Sequence, residues 1–260
     1  MTSGCQGCRD GAAFPLAIQT AFHPIVDLRD DSVFAYEALV RGPSGESAGE
    51  VLGQVTEKNL YAFDQACRVA AIRNAVAAGL LSTNARLSIN FLPNAVYSPL
   101  ACINLTLRTA RETGLPPDRL IFEFTENQKV DADHVRHIVD TYRKLGFTVA
   151  LDDFGAGYAG LGLLANMPTD MVKIDIELIR GIDRSVPRRQ IVMAVSRLCA
   201  EMEIEVIAEG IETRGELAVV RDIGIVYGQG FVFGRPQIGV LPSGQVEGAG
   251  DMTLSAARAA

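Results

Sequence analysis

Asp152 and Asp153 close a short apolar run, Val149-Ala150-Leu151, and lead into the glycine-punctuated stretch Phe154-Gly155-Ala156-Gly157-Tyr158. Strand side chains alternate between faces, so two neighbouring carboxylates serve one site only where the strand is ending and its backbone turns. Gly155 and Gly157 can supply that turn. Other polar residues stand in the same setting, near the ends of apolar runs. Glu37, Leu39 and Arg41 share a face by period two, as do Ser88 and Asn90; Glu123 and Thr125 oppose Phe122 and Phe124; Lys173 and Asp175 oppose Val172, Ile174 and Ile176; Glu209, Glu212 and Gln229 follow. Each alone reads as a solvated strand end or an ion pair with a neighbouring helix. Together, Glu37, Asn90, Glu123, Asp152, Asp153 and Glu209 bring more negative charge than one pocket holds without cations. Oxygen donors without His or Cys select a hard ion, magnesium or manganese, over zinc. A paired aspartate suits two ions sharing a carboxylate, an arrangement that attacks phosphodiesters.

The elements that must carry these residues follow from the hydrophobic pattern. Strands are predicted over Phe22 to Leu28 and Val33 to Arg41, and the four residues between them cannot hold a crossover helix, so the pair should be antiparallel. Gly42 to Gly53 reads as loop, and Tyr61 to Leu80 as a helix. Strand and helix then alternate: Leu87 to Phe91, a helix around Ala101 to Thr113, Leu120 to Glu126, a helix from Asp131 to Leu145, the Asp-Asp strand and a short helix near Leu161 to Ala165. Next come Val172 to Ile176, a helix from Pro187, Val206 to Ile211, a helix from Arg214, and Gly230 to Phe233. Eight strands in this order predict an α/β fold, a modified TIM (β/α)8 barrel with an antiparallel first strand; an open doubly wound sheet is the alternative. In such a barrel the chemistry sits at the carboxyl ends of the strands.

Of 260 residues, 48% are hydrophobic and 21% charged, enough apolar material for a sizeable core. A net charge of -7 with scattered Lys and Arg argues against gripping a nucleic-acid polymer, although metals would let an acidic site take an anion. No run of twenty apolar residues suggests a membrane span, and Met1 to Asp10 lacks a signal peptide's apolar core, so a cytoplasmic location is expected. Five cysteines without framework spacing fit a reducing compartment. Cys5 and Cys8 form a C-x-x-C that reads as thiols of a tail rather than half a zinc site or a redox pair. The expected organisation is a tail over 1–19, a barrel over 20–240 and a disordered tail over 241–260.

Glu37-Ala38-Leu39 followed by Arg41 resembles the signature of the EAL-domain cyclic di-GMP phosphodiesterases. The remaining motifs follow in the family's order: Asn90 of Ser-Ile-Asn, Glu123-Phe-Thr-Glu126, Asp152-Asp153-Phe-Gly-Ala-Gly-Tyr158, Lys173-Ile-Asp175, Glu209-Gly-Ile-Glu212 and Gln229-Gly230. The resemblance runs from about Phe22 to Pro236. It implies metal-dependent hydrolysis of cyclic di-GMP to linear pGpG with two Mg2+ or Mn2+ ions per site. Glu37, Asn90, Glu123 and Asp152 would hold one ion, with Asp152, Asp153 and Glu209 at the second. Lys173 would contact the attacking water, with Asp175 on its face to fix it. Arg41 would contact a substrate phosphate beside Leu39, Gln229 would assist near the metals, and Glu126 and Glu212 would steady the loop after Asp153. The resemblance also implies a homodimer, with Tyr158 to Met167 at the interface. Regulation would come through that assembly, a partner protein or substrate supply, since only about twenty residues precede the barrel. Two departures stand out: His23 occupies the place of a usual Gln before Pro-Ile, and Gly-Ala-Gly-Tyr-Ala-Gly lacks two hydroxyls common in the family's loop. The alternative reading is a receptor that binds cyclic di-GMP and signals through a partner; a metal-dependent lyase would want a separate carbon-acid base, and no motif supplies one.

Overall fold

The computed structural model describes residues 14–125, 131–157, 160–167 and 169–246. Strands β1 (Gln19–Asp27) and β2 (Val33–Arg41) form the antiparallel hairpin. Strands β3 (Arg86–Asn90), β4 (Leu120–Thr125), β5 (Thr148–Phe154), β6 (Met171–Ile174), β7 (Glu205–Ala208) and β8 (Tyr227–Gln229) continue from β2 in parallel order. Strand β1 pairs antiparallel with both β8 and β2, which closes the barrel and rules out the open sheet.

The helices are α1 (Ala48–Leu52), α2 (Leu60–Ala77), α3 (Pro99–Cys102), α4 (Asn104–Thr113), α5 (Ala132–Lys144), α6 (Gly160–Asn166), α7 (Ile176–Ile179), α8 (Val186–Glu201) and α9 (Arg214–Ile223). None of the described helices is long and apolar enough to cross a membrane. Leu87, Ile89, Phe122, Phe124, Leu151 and Val172 point outward into the core shared with the helices. Ile25, Ala35, Ile121, Ala150, Met171, Ile207 and Tyr227 fill the barrel interior as a separate apolar floor. One step of two residues above that floor, toward the carboxyl ends of the parallel strands, stand Glu37, Glu123, Asp152, Lys173, Glu209 and Gln229. His23 takes the matching place on antiparallel β1, opposite Glu37.

Three local expectations are corrected. The loop expected over Gly42 to Gly53 contains α1, started by a reciprocal cap: the Glu50 amide donates to Ser47 Oγ while Glu50 accepts from the Ser47 amide. The last barrel strand is β8, not Gly230 to Phe233, which forms a 3-10 turn at Phe231–Phe233. The strand stops because Gly230 passes so close to Ile211 that a Cβ would lie 2.1 Å from its carbonyl oxygen. The tail expected from 241 begins against the barrel: beyond β9 (Gln237–Ile238), which pairs with β1, the Tyr36 hydroxyl donates to Pro242 O at 2.9 Å. That segment covers the outer face of a hairpin that has no crossover helix of its own.

A buried ion pair ties α2 to the barrel. Arg68, fully buried, sits 2.8 Å from Asp64, donates to the Tyr142 hydroxyl at 2.7 Å and lies over the rings of Phe91, Phe122 and Tyr142. Asp64 in turn accepts from the Leu92 amide at 3.0 Å, which fixes the chain just after Asn90.

Candidate active site

Lys173 stands at the centre of the polar ring with its side chain 1% exposed. Its ammonium lies 2.7 Å from Glu209, 2.9 Å from Glu123, 3.1 Å from Asp152 and 3.7 Å from Glu37. Burial would lower its pKa, but Asp152, Glu123, Glu209 and Glu37 outweigh that and hold it well above the usual lysine value. The side chain is therefore a fixed cation and a hydrogen-bond donor in this arrangement.

The carboxylates respond unequally. Burial pushes Glu123 up to about 8, opposed by Lys173 and reinforced by Glu37 and Asp152. Burial first, then Asp152 and Asp175, raises Asp153 to about 6. Glu209 is also driven upward, chiefly by burial. For Glu37 burial acts upward too, but Lys173, His23 and the amides of Gln229 and Asn90 prevail and the net shift is downward. Those amides donate to its two oxygens, Asn90 at 2.9 Å and Gln229 at 2.8 Å. Ser88 donates to Glu123 at 2.5 Å.

The carboxylate oxygens converge in two groups, Glu37 with Glu123 and Asp152, and Asp152 with Asp153 and Glu209, each within 4.8 Å of one another. Asp152 belongs to both. The backbone bend expected after the aspartates falls on Asp153 itself, at φ 55, and continues at Gly155, φ 100. Aspartate tolerates the left-handed region better than most residues, and the bend brings Asp153 to the same side as Asp152. Glu209 follows β7 directly, its amide donating to Ile174 O, while Gly210 at φ 67 packs on Ile176.

The remaining expected residues are placed differently. Half-buried Arg41 ends β2 and donates to Val40 O, and Leu39 lines an apolar cavity of about 320 Å³ with Asn90, Phe63, Phe91 and Leu92. Asp175 caps α7 by accepting from the Glu177 amide at 2.8 Å, whereas the ion pairs of Lys173 run to the four carboxylates above. Glu212 pairs with Arg180 at 2.8 Å, and Glu126 lies outside the described residues, as do Cys5 and Cys8. Sequence reasoning gave no part to Ser88 beyond its shared face with Asn90, nor to Arg180.

One ammonium faces five converging carboxylates, and burial first, with Glu37 and Asp152 adding to it against Lys173, raises Glu123 to about 8. The donor set, all oxygen, fits hard divalent cations.

Comparison with known proteins agrees with this geometry. A family model described as EAL domain matches residues 17–236. The crystal structure of a standalone EAL protein from Vibrio cholerae O395 in its c-di-GMP-bound form is 44% identical, with a TM-score of 0.86 over 90% of this chain and 98% of that one. Klebsiella pneumoniae BlrP1, solved as a manganese and cyclic di-GMP complex, is 34% identical, with a TM-score of 0.81 over 88% of this chain and 58% of BlrP1. Among curated relatives, the blue light- and temperature-regulated antirepressor BluF of Escherichia coli is 32% identical across 86% of this chain, which spans only 55% of BluF. The cyclic di-GMP phosphodiesterase PdeB of Shewanella oneidensis is 37% identical over 47% of this chain and 14% of PdeB.

Proposed function

This chain belongs to the EAL domain family, and from that premise we propose that it is a divalent-cation-dependent phosphodiesterase hydrolysing cyclic di-GMP to linear pGpG. The observation that carries the reading is the ring of acid around Lys173, with Asp152 common to two carboxylate groups. Glu37, Asn90, Glu123 and Asp152 would hold one Mg2+ or Mn2+ ion, and Asp152, Asp153 and Glu209 the other. When bound, the two ions supply the charge that acidifies a water and neutralises the phosphate.

The chain's own residues do the rest. Asn90 and Gln229 keep Glu37 oriented and ionised by donating to both its oxygens. Lys173, held cationic, donates to the attacking water and fixes its position. Arg41, at the end of β2, has the planar fork suited to a phosphate, and the cavity beside Leu39 offers an apolar wall to one base. The water oxygen bonds to phosphorus and gives one proton to solvent, the P–O3′ bond breaks, and the departing 3′ oxygen takes up one proton from solvent. Asp175 acts from a distance, by capping the helix that follows β6.

Support for cyclic di-GMP comes from the bound forms of the Vibrio and Klebsiella proteins, and for hydrolysis from PdeB. BluF, an antirepressor, favours a second reading in which the pocket binds the dinucleotide and signals through a partner. Incubating pure protein with cyclic di-GMP and Mg2+ or Mn2+, then separating the nucleotides, distinguishes them. Linear product that disappears in chelator and in Ca2+ supports the enzyme; tight binding without product supports the receptor.

A further inference from the structure

Consecutive residues of β2 are held from opposite faces by one stretch of chain. On the inner face the Gln229 amide donates to Glu37 at 2.8 Å; on the outer face the Tyr36 hydroxyl donates to Pro242 O at 2.9 Å. Tyr36 and Pro242 are both buried. Between those two anchors, Gln237 and Ile238 pair with Phe22 and Ala21 of β1, and the Gly239 amide donates to Thr20 O at 3.0 Å. Beyond Pro242, Gly244 at φ 69 lies so close to the hairpin that a Cβ would stand 2.7 Å from Val33 and 3.1 Å from Val26. The pairing of β1 with β2 shifts register between Ile25 and Val26, so Gly244 packs where the hairpin is least regular. Residues 237–244 thus form a strap laid across the outside of both strands, past the region that the EAL model matches.

Strand side chains alternate between faces, so any outward movement of Tyr36 carries with it the backbone that presents Glu37 to the site. A small hard cation demands near-ideal placement of its oxygens, and the groups that orient a ligand count toward affinity as well as the ligand itself. We propose that Tyr36 and the strap position Glu37 for the reaction: they press β2 onto the barrel from outside while Gln229 holds the carboxylate from inside. The assignment rests on the proposed function and adds to it the segment that supports this ligand from the far side of its strand.

The test reads Mn2+ binding directly, by titration calorimetry on the parent chain, Tyr36→Phe, Gly244→Ala and Tyr227→Phe. Hydrogen exchange over residues 33–41 is followed in metal-free protein, and turnover of cyclic di-GMP in Mg2+. Tyr36→Phe deletes only the hydroxyl, whereas Gly244→Ala sets a Cβ against Val33 and lifts the strap. Tyr227→Phe is the control, because its hydroxyl meets Glu205 at the opposite end of the barrel. Each strap variant should weaken Mn2+ by about threefold to tenfold, the range for losing one orienting hydrogen bond. Each should also speed exchange over 33–41 and raise the Mg2+ needed for half-maximal turnover, with kcat at saturating Mg2+ within about twofold of the parent's. Both act through one strap, so the double variant should bind Mn2+ no more weakly than the worse single variant. Tyr227→Phe should keep the parent's Mn2+ affinity. Parent-like Mn2+ affinity in both strap variants, or an equal loss in Tyr227→Phe, would overturn the assignment while leaving the function intact. A parent that binds neither Mn2+ nor cyclic di-GMP would overturn the function and this assignment together.

Discussion

Glu123 and Asp153 carry the residue-scale argument, because their carboxyls sit at about 8 and about 6 where an exposed acid would sit near 4. Each group is protonated below its value, and a cation binds the ionised form, so ion binding must expel whatever proton is there. Affinity for Mg2+ or Mn2+ should climb as pH rises from about 5 to about 8 and flatten above. Calorimetry in buffers of different ionisation enthalpy should detect proton release that is largest at the acid end; affinity independent of pH across that range would contradict the account. Asp153→Asn removes one charge from the group shared with Glu209 and keeps Glu37, Glu123 and Asp152 in place. Its kcat should fall by about 10²-fold to 10³-fold, while affinity for cyclic di-GMP changes by less than about tenfold. Turnover near the parent rate would remove Asp153 from the second ion. These residues were legible in the sequence because period two brings one polar side chain per strand to the same height. Ser88 was legible as a face-mate of Asn90 but not as the donor to Glu123, since that bond depends on the register of β3 against β4.

At the scale of elements, strand order and the antiparallel hairpin could be read from the four-residue gap between the first two predicted strands. The end of β8 could not, because the close approach of Gly230 to Ile211 is a tertiary event. Helix α1 hid in a glycine- and serine-rich stretch whose Ser47 and Glu50 cap it. The charges of α2 look in the sequence like interruptions of an apolar helix, yet Asp64 and Arg68 are buried together and pin Leu92 behind Asn90. Removing only the cation leaves a buried carboxylate without its partner, so Arg68→Ala should cost about 3–5 kcal/mol. The joint replacement Asp64→Leu with Arg68→Met should cost markedly less. Urea unfolding of both variants checks this, and equal losses would show that the rings around Arg68, not the ion pair, set the stability.

Among the exposed apolar side chains of the whole molecule, several recur along one helix. Pro187, Ile191, Ala194 and Leu198 recur along the exposed side of α8, and Leu161 on α6 is 62% exposed. These helices follow β5 and β6, whose ends carry Asp152, Asp153 and Lys173. A homodimer packed through this flank would connect assembly to the position of the aspartates. Light scattering should give twice the 27.9 kDa chain mass, and Leu198→Glu should yield a slower monomer. A fully active monomer would disconnect assembly from rate.

The central claim, that the acidic ring directs water onto phosphorus with the help of divalent cations, is tested most directly by isotope. Cyclic di-GMP incubated with the protein in H2(18)O and Mg2+ should give linear product carrying a single heavy oxygen on its 5′ phosphate, and none in excess chelator. Product without the label, label gained in chelator, or binding with no product at all would contradict it.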